Sequence, residues 1–322
     1  MVRHVAPPTP QQLESARELI ARYLRPTPTV YATVRGREIR LKLEGLQVTG
    51  SFKVRGALSA VSAAYRDDPS GAVVTSSAGN HGLGVAYAAT MLGVPATVVV
   101  PANASAAKVQ KLRQFDVELV QVGSSYDDAQ AYAMEMAERH SIRYISPFND
   151  TDVIAGQATV FLEMIDQAPE LEHLVVPVGG GGLMAGTILA RDLVGRQDVR
   201  LTGVQPEESA ALYHVLRGTP MDEVVHHPTI ADGLAGGGDE GAITNELVER
   251  YGIPLVLVPE VGIRHGVREA AEALGLVLEG SATTALAAIT SNVVADEDSR
   301  IGMLATGRNI ARDLLIELLG TM

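Results

Sequence analysis

The chain contains no cysteine and no tryptophan, and only 4 phenylalanines and 9 tyrosines in 322 residues. Without cysteine there is no disulfide framework, no zinc ribbon and no thiol nucleophile; this fits a reducing cytosol, and a cytoplasmic location is expected. Positive charge is also scarce. Lys and Arg number 26 against 38 Asp and Glu, and the formal net charge of −12 argues against nucleic acid or an acidic membrane surface as partner. Two windows, 82–107 and 174–190, lack Lys, Arg, Asp and Glu, but Gly93-Val94-Pro95 divides the first and the glycines 179–182 divide the second. Neither supplies the unbroken helix of about 20 residues that a bilayer requires. Residues 1–12 hold Pro7, Pro8 and Pro10 and no apolar core, unlike a secretory signal. His226 and His227 are adjacent and point different ways, with no second His or Cys at ligand spacing, so no metal is expected.

What remains is an ordinary globular composition, 46% hydrophobic and 20% charged, long enough for two domains or one large α/β unit. Short β-branched runs alternate with helical patterns. Strands are predicted over 72–75, 96–100, 117–122, 144–145, 174–178, 201–204, 255–258 and 301–305. Helices are predicted over 85–92, 104–115, 126–140 and 157–167, and from Leu183 onward. In the 126–140 helix, Tyr132, Met136 and His140 at i, i+4 spacing read as a packing face. Continuous apolar strands separated by helices imply an α/β fold with mostly parallel sheets covered on both faces. The series over 71–145 is expected to form a small domain inserted into a large one built from 1–70 and 146–322.

The strand ends carry the chemistry. Lys53 lies between Phe52 and Val54 in Gly-Ser-Phe-Lys-Val-Arg-Gly-Ala, 50–57. An apolar setting depresses a lysine's pKa and makes its amine nucleophilic enough to form a Schiff base; the competing reading is a lysine whose ammonium reaches water. Gly179, Gly180, Gly181 and Gly182 follow a strand and open a helix, where free N–H groups and the helix dipole suit a phosphate. A dinucleotide turn also matches, as Gly180-x-Gly182-x-x-Ala185, but the next strand ends in Val204-Gln205 rather than a ribose-binding acid. The turn 76–82 offers hydroxyls, an amide, the His81 imidazole and N–H groups at a helix start, suited to a carboxylate or to simple capping. Further glycine-rich turns occur at 229–237, 279–282 and 305–309.

Taken in order, GSFKVRGA, SSAGNHG, VIAGQ (153–157), PVGGGGLMAG, TIADGLAGG and TGRN resemble the fold-type II pyridoxal-phosphate enzymes, specifically the threonine/serine dehydratase and serine racemase family. The resemblance runs from about residue 18 to the C-terminus. It implies two open, mostly parallel twisted sheets with the active site between domains, and pyridoxal 5'-phosphate as cofactor. Lys53 would be the Schiff-base lysine and α-proton base, with Phe52 beside the cofactor ring and Asn80 on the ring hydroxyl. Gly179, Gly180, Gly181, Gly182 and Leu183 would hold the phosphate, and Thr306 would face the pyridine nitrogen. The substrate would meet Ser77, Ala78, Gly79, Asn80, His81, Gly233 and Glu279. A homodimer and a small amino-acid substrate are the partners implied.

Within that family, the expected activity is a dehydratase (ammonia-lyase) on an L-threonine- or L-serine-type β-hydroxy amino acid. Serine racemases resembling this chain carry a serine where Ala78 stands, and a metal-binding glutamate and aspartate at Gln205 and Ala211, so racemisation and metal dependence are not expected. No regulatory domain follows residue 322, so feedback control is not expected either. Arg308, Ser146 and Glu279-Gly280-Ser281 depart from the family's usual residues and leave open an unusual substrate: 3-hydroxyaspartate, phenylserine or a hydroxyectoine-derived acid. A serine/aspartate racemase or β-replacement enzyme on the same fold, a nicotinamide dehydrogenase and a non-catalytic binding protein are the remaining alternatives.

Overall fold

The structure, a computed structural model, describes residues 5–236, 238–239, 241–294 and 300–320. Gly237 of the third glycine-rich turn lies outside these residues. The chain first forms α1 (Pro10–Tyr23), which Thr9 and Gln12 start with a capping box. An antiparallel hairpin follows that the apolar-run reading did not anticipate: β1 (Thr29–Val34) and β2 (Arg37–Lys42). Arg35 and Gly36 turn it at φ 49° and 79°. Two successive left-handed residues match the twist of paired strands.

Every other pairing between the described strands is parallel. β3 (Val73–Ser76), β4 (Ala96–Val100), β5 (Glu118–Gln121) and β6 (Arg143–Tyr144) make a four-stranded sheet in the order β5-β4-β3-β6. β7 (His173–Pro177), β8 (Arg200–Pro206), β9 (Leu255–Val258) and β10 (Ile301–Leu304) join the hairpin as β1-β2-β10-β7-β8-β9. All residues of β3, β4, β7 and β10 are buried, as strands covered on both faces must be.

The covering helices are α2 (Lys53–Asp67), α3 (Asn80–Leu92), α4 (Ala106–Leu112), α5 (Tyr126–His140), α6 (Thr151–Gln167) and α7 (Gly182–Leu193). After them come α8 (Ala211–Val215), α9 (Ile243–Arg250), α10 (Glu260–Leu274), α11 (Gly280–Thr290) and α12 (Arg312–Gly320). One core joins α6 and α7 to the larger sheet through Ile154, Phe161, Val176, Met184 and Ile188. Another joins Ile263 of α10 and Leu286 of α11 to Val175 and Met303. A third packs Val54, Leu58 and Val61 of α2 against Val85 and Ala89 of α3.

Two helices begin earlier than their apolar pattern suggests. α3 starts at Asn80, and α6 starts at Thr151, where the Asp150 carboxylate accepts from the N–H groups of Asp152 and Val153. In α5 the packing face is Ala129, Ala133, Met136 and Ala137, while Tyr132 and His140 are exposed. The small alanines allow close approach to the sheet, and the longer side chains face water.

Glycines set the spacing of three helices. α6 lies between α2 and α7; a Cβ on Gly156 would stand 2.6 Å from the Gly56 Cα, and one on Gly186 would stand 2.8 Å from the Ile154 carbonyl oxygen. Backbone therefore meets backbone on both sides of α6. Beside this stack lies a buried ionic cluster. Arg55 is fully buried and donates to Glu44 at 2.7 and 2.8 Å and to both Glu163 oxygens at 2.7 Å. Lys42, also fully buried, donates to Glu163 at 2.9 Å and to the Thr27 carbonyl at 2.6 Å.

Candidate active site

The turns after β3, β7 and β10 leave the carboxyl ends of parallel strands, the place where α/β sheets bind ligands, and the stretches 50–57, 229–236 and 279–282 meet them from elsewhere in the chain. Lys53 is the first residue of α2, and its backbone is tied down on either side. Phe52 N–H donates to the Thr306 carbonyl at 3.0 Å, and Ser51 bridges to Gly307. The Lys53 ammonium donates to the Pro147 carbonyl at 2.8 Å and stands 5.4 Å from the Phe52 ring centre. Burial pushes its pKa down to about 8, the nearby Glu279 carboxylate opposing part of that shift.

The chain after β7 runs through Gly179–Gly182 into α7, with Gly181 at φ +84°, a conformation that excludes most side chains. The turn is tightly walled. A Cβ on Gly180 would strike the Phe148 ring, one on Gly182 would come 2.9 Å from the Phe148 Cα, and one on Gly179 would come 3.0 Å from the Leu234 Cα. The Thr244 hydroxyl donates to the Gly180 carbonyl at 2.7 Å. The N–H groups of a helix's first turn have no intrahelical partner, so this cradle presents the start of α7 to an anion. Leu183 contributes backbone there, since its side chain is buried in the core.

Ser77, Ala78 and Gly79 link β3 to α3. The Ser77 hydroxyl accepts from the Gly79 N–H at 3.2 Å, and Ala78 packs on the cluster of Leu83, Val98 and Leu112. His81 is turned inward rather than toward the turn. Its Nε2–H donates to the Ile145 carbonyl at 3.2 Å, and burial, followed by the charge of Lys53, pushes its pKa down to about 3. It is a neutral imidazole whose Nδ1 is buried without a hydrogen-bond partner among the described residues, and at the turn it offers its backbone N–H.

Glu279 sits opposite. It accepts from the Asn80 amide at 2.7 Å and the Asn309 N–H at 2.9 Å, and burial, reinforced by Asp232, pushes its pKa up to about 7 against those hydrogen bonds and Lys108. Thr306 is buried beside it, after β10. Gly233 is exposed, and its N–H donates to the Ser281 hydroxyl at 3.0 Å. Arg308 is exposed, with its Cβ against Gly45.

Among the described residues, the buried polar atoms near Lys53 without a hydrogen-bond partner are the hydroxyls of Thr49 and Ser51, Nδ1 of His81 and both polar atoms of the Gln157 amide. Partnerless buried polar groups are rare and point to a bound molecule or solvent. Together with the glycine cradle and an amine of lowered pKa, they fit an anionic carbonyl cofactor. The sequence reading missed Pro147, Phe148, Asp232 and Asn309 as site neighbours. Asp232 and Asn309 lay inside the quoted motifs TIADGLAGG and TGRN, and Pro147 and Phe148 follow Ser146, but nothing local assigned them a role.

Residues 20–307 match the family model described as pyridoxal-phosphate dependent enzyme. The chain belongs to that family of pyridoxal-phosphate-dependent enzymes, in its threonine dehydratase/serine racemase group. It is 37% identical over 282 residues to an L-threonine ammonia-lyase of Thermotoga maritima, covering 88% of this chain and 70% of that one. It is 31% identical to a serine racemase of Dictyostelium discoideum, over 94% of this chain and 95% of that one. Among solved structures, maize serine racemase superposes with a TM-score of 0.87 at 28% identity, covering 97% of each chain. The threonine deaminase of Solanum lycopersicum, isoform 2 in its processed form, superposes with a TM-score of 0.85 at 27% identity, over 100% of this chain and 97% of that one. No helix among the described residues is long and apolar enough to cross a membrane.

The packing gives a direct test of the cradle. Gly180→Ala would drive a methyl group into the Phe148 ring, and the dissociation constant for pyridoxal phosphate is expected to rise at least about tenfold, the equivalent of about 1.4 kcal/mol. Unchanged cofactor affinity, measured by fluorescence titration of the cofactor-free protein, would show that the phosphate lies elsewhere.

Proposed function

We propose that the enzyme is an ammonia-lyase that eliminates water from a β-hydroxy amino acid of the L-threonine or L-serine type, giving a 2-oxo acid and ammonia. Pyridoxal phosphate, when bound, supplies the electron sink that makes an α-proton removable. The residues around it divide the remaining work. Lys53 would carry the cofactor on its amine and, when that amine is free, would take the substrate α-proton as general base. Phe52 would flank the ring and Asn80 would hold its hydroxyl. Gly179 to Gly182 and the Leu183 N–H would bind the phosphate at the start of α7. Thr306, a hydroxyl rather than a carboxylate, would leave the pyridine nitrogen without a charged partner, which would favour loss of a β-substituent over transamination. The turn 77–81 would receive the substrate carboxylate on the N–H groups of Ala78, Asn80 and His81, those of Ser77 and Gly79 being held by the Val99 carbonyl and the Ser77 hydroxyl, and Gly233 and Glu279 would line the side-chain end.

The observation that carries elimination over racemisation is Ala78. Racemisation needs a proton carrier on the face opposite Lys53; serine racemases resembling this chain have a serine at the position of Ala78, whose methyl group packs on Leu83 and Val98 and carries no exchangeable proton. The greater identity to L-threonine ammonia-lyases than to serine racemases agrees. The fold likeness to maize serine racemase and to an aspartate racemase makes racemisation the second reading.

A panel of L-serine, L-threonine, 3-hydroxyaspartate and phenylserine, assayed for oxo-acid release, tests the proposal and identifies the substrate. Formation of D-amino acid without oxo acid would replace it with the racemase reading. The lowered pKa of Lys53 yields a further expectation. Only a neutral amine attacks a carbonyl, so the rate of cofactor capture by the cofactor-free protein should fall tenfold per pH unit below about pH 8 and level off above it. A flat profile between about pH 6 and 9 would mean that Lys53 is not the capturing group.

A further inference from the structure

We propose that Lys111 is a positioning residue for the reaction, orienting the Asn309–Asn80–Glu279 hydrogen-bond chain from a helix of the opposite sheet layer. The inference rests on the dehydratase reading for its kinetic consequence and on geometry for its substance. α4 belongs to the four-stranded layer, where its Leu112 is buried with Val98 and Val100. Two of its lysines cross the crevice to loops of the six-stranded layer. Lys108 pairs with Asp232 at 2.9 Å, beside Gly233, and Lys111 donates to the Asn309 Oδ1 at 3.1 Å.

An ammonium only donates. Oδ1 of Asn309 must therefore face Lys111, which turns its Nδ2 inward to the two acceptors it reaches, the Thr49 carbonyl at 2.8 Å and the Asn80 Oδ1 at 2.7 Å. With its oxygen engaged, Asn80 presents its own Nδ2 to Glu279, while the Asn309 N–H holds the other Glu279 oxygen. Each amide orientation compels the next. Lys111 is exposed, so holding its ammonium on Asn309 costs little desolvation. Around Glu279 the charged groups are Lys53, Asp232 and Lys108, and loss of the ordered Asn80 and Asn309 donors would raise its pKa further.

Lys111→Met keeps the aliphatic stem and removes the charge. In the holoenzyme kcat/KM should fall about three- to tenfold, the worth of one partly exposed charge-assisted hydrogen bond. The pH midpoint assigned to Glu279 should move upward, and Lys111→Arg should restore both. In the cofactor-free protein, the side-chain amide NMR signals of Asn309 and Asn80 should shift in Lys111→Met and keep their positions in Lys108→Met. Unchanged amide signals, or equal shifts in the two variants, would overturn the proposal. If the unaltered enzyme releases no oxo acid, the dehydratase reading fails, and the amide signals still decide the role of Lys111.

Discussion

Lys53→Ala is expected to abolish the visible absorbance of the bound cofactor and to lower turnover by at least about 10³-fold, within the range that a positioned general base contributes. The fold should survive it. Lys53 begins α2 as its first residue, its amine bonds one carbonyl, and no salt bridge among the described residues depends on it. Alanine is also the best helix former. A thermal midpoint close to that of the unaltered protein is therefore expected alongside the lost absorbance. Lys53→Arg separates charge from nucleophilicity, because a guanidinium stays protonated at any working pH. It should be as inactive as the alanine variant. Retained absorbance and activity in either would remove Lys53 from the chemistry.

Arg55→Met is expected to act on the fold instead, destabilising it by about 3–5 kcal/mol, the usual consequence of removing one partner from a buried ion pair. Glu44 and Arg55 are both fully buried, and without the guanidinium the Glu44 carboxylate would keep only the Thr27 hydroxyl as a side-chain donor among the described residues. Glu163 would keep Lys42. A shift of the urea midpoint measures the loss, and a change below about 1 kcal/mol would mean that the cluster contributes no more than an exposed pair. Acid should have a related effect. Burial acts to raise the Glu163 pKa, but the hydrogen bonds and charge of Arg55, with Lys42, hold it below the ordinary value. A carboxyl depressed in the folded state stabilises above its unfolded pKa, and that contribution is lost as pH falls through the lowered value. Arg55→Met should flatten this acid limb.

Arg55 also shows where the sequence stopped being legible. An arginine two residues after Lys53 carries no local sign of complete burial, because its partners Glu44 and Glu163 lie 11 and 108 positions away. The same distance hid Asn309 and Lys111, which meet across 198 residues. The parallel strands and the glycine turns were legible because each reflects a short-range demand: burial on both faces, or a backbone too crowded for side chains. The hairpin at 29–42 escaped because Arg37, Arg40 and Lys42 broke up its apolar pattern, although Arg40 and Lys42 are buried. His81 was legible as part of a motif but not in its direction, which depends on the Ile145 carbonyl.

The glycine contacts on both sides of α6 work as a gauge block. The lysine proposed to carry the cofactor begins α2 and the proposed phosphate cradle begins α7, and α6 packs between these two helices by backbone contact on both sides. Pyridoxal phosphate has its own fixed span from carbonyl carbon to phosphorus. A tolerance held by main-chain contact cannot drift as side chains elsewhere are exchanged. Loops at the substrate end are therefore free to diversify for new amino acids while the cofactor keeps its fit. Any methyl group added at Gly156 or Gly186 would be felt as an error of length at the far end.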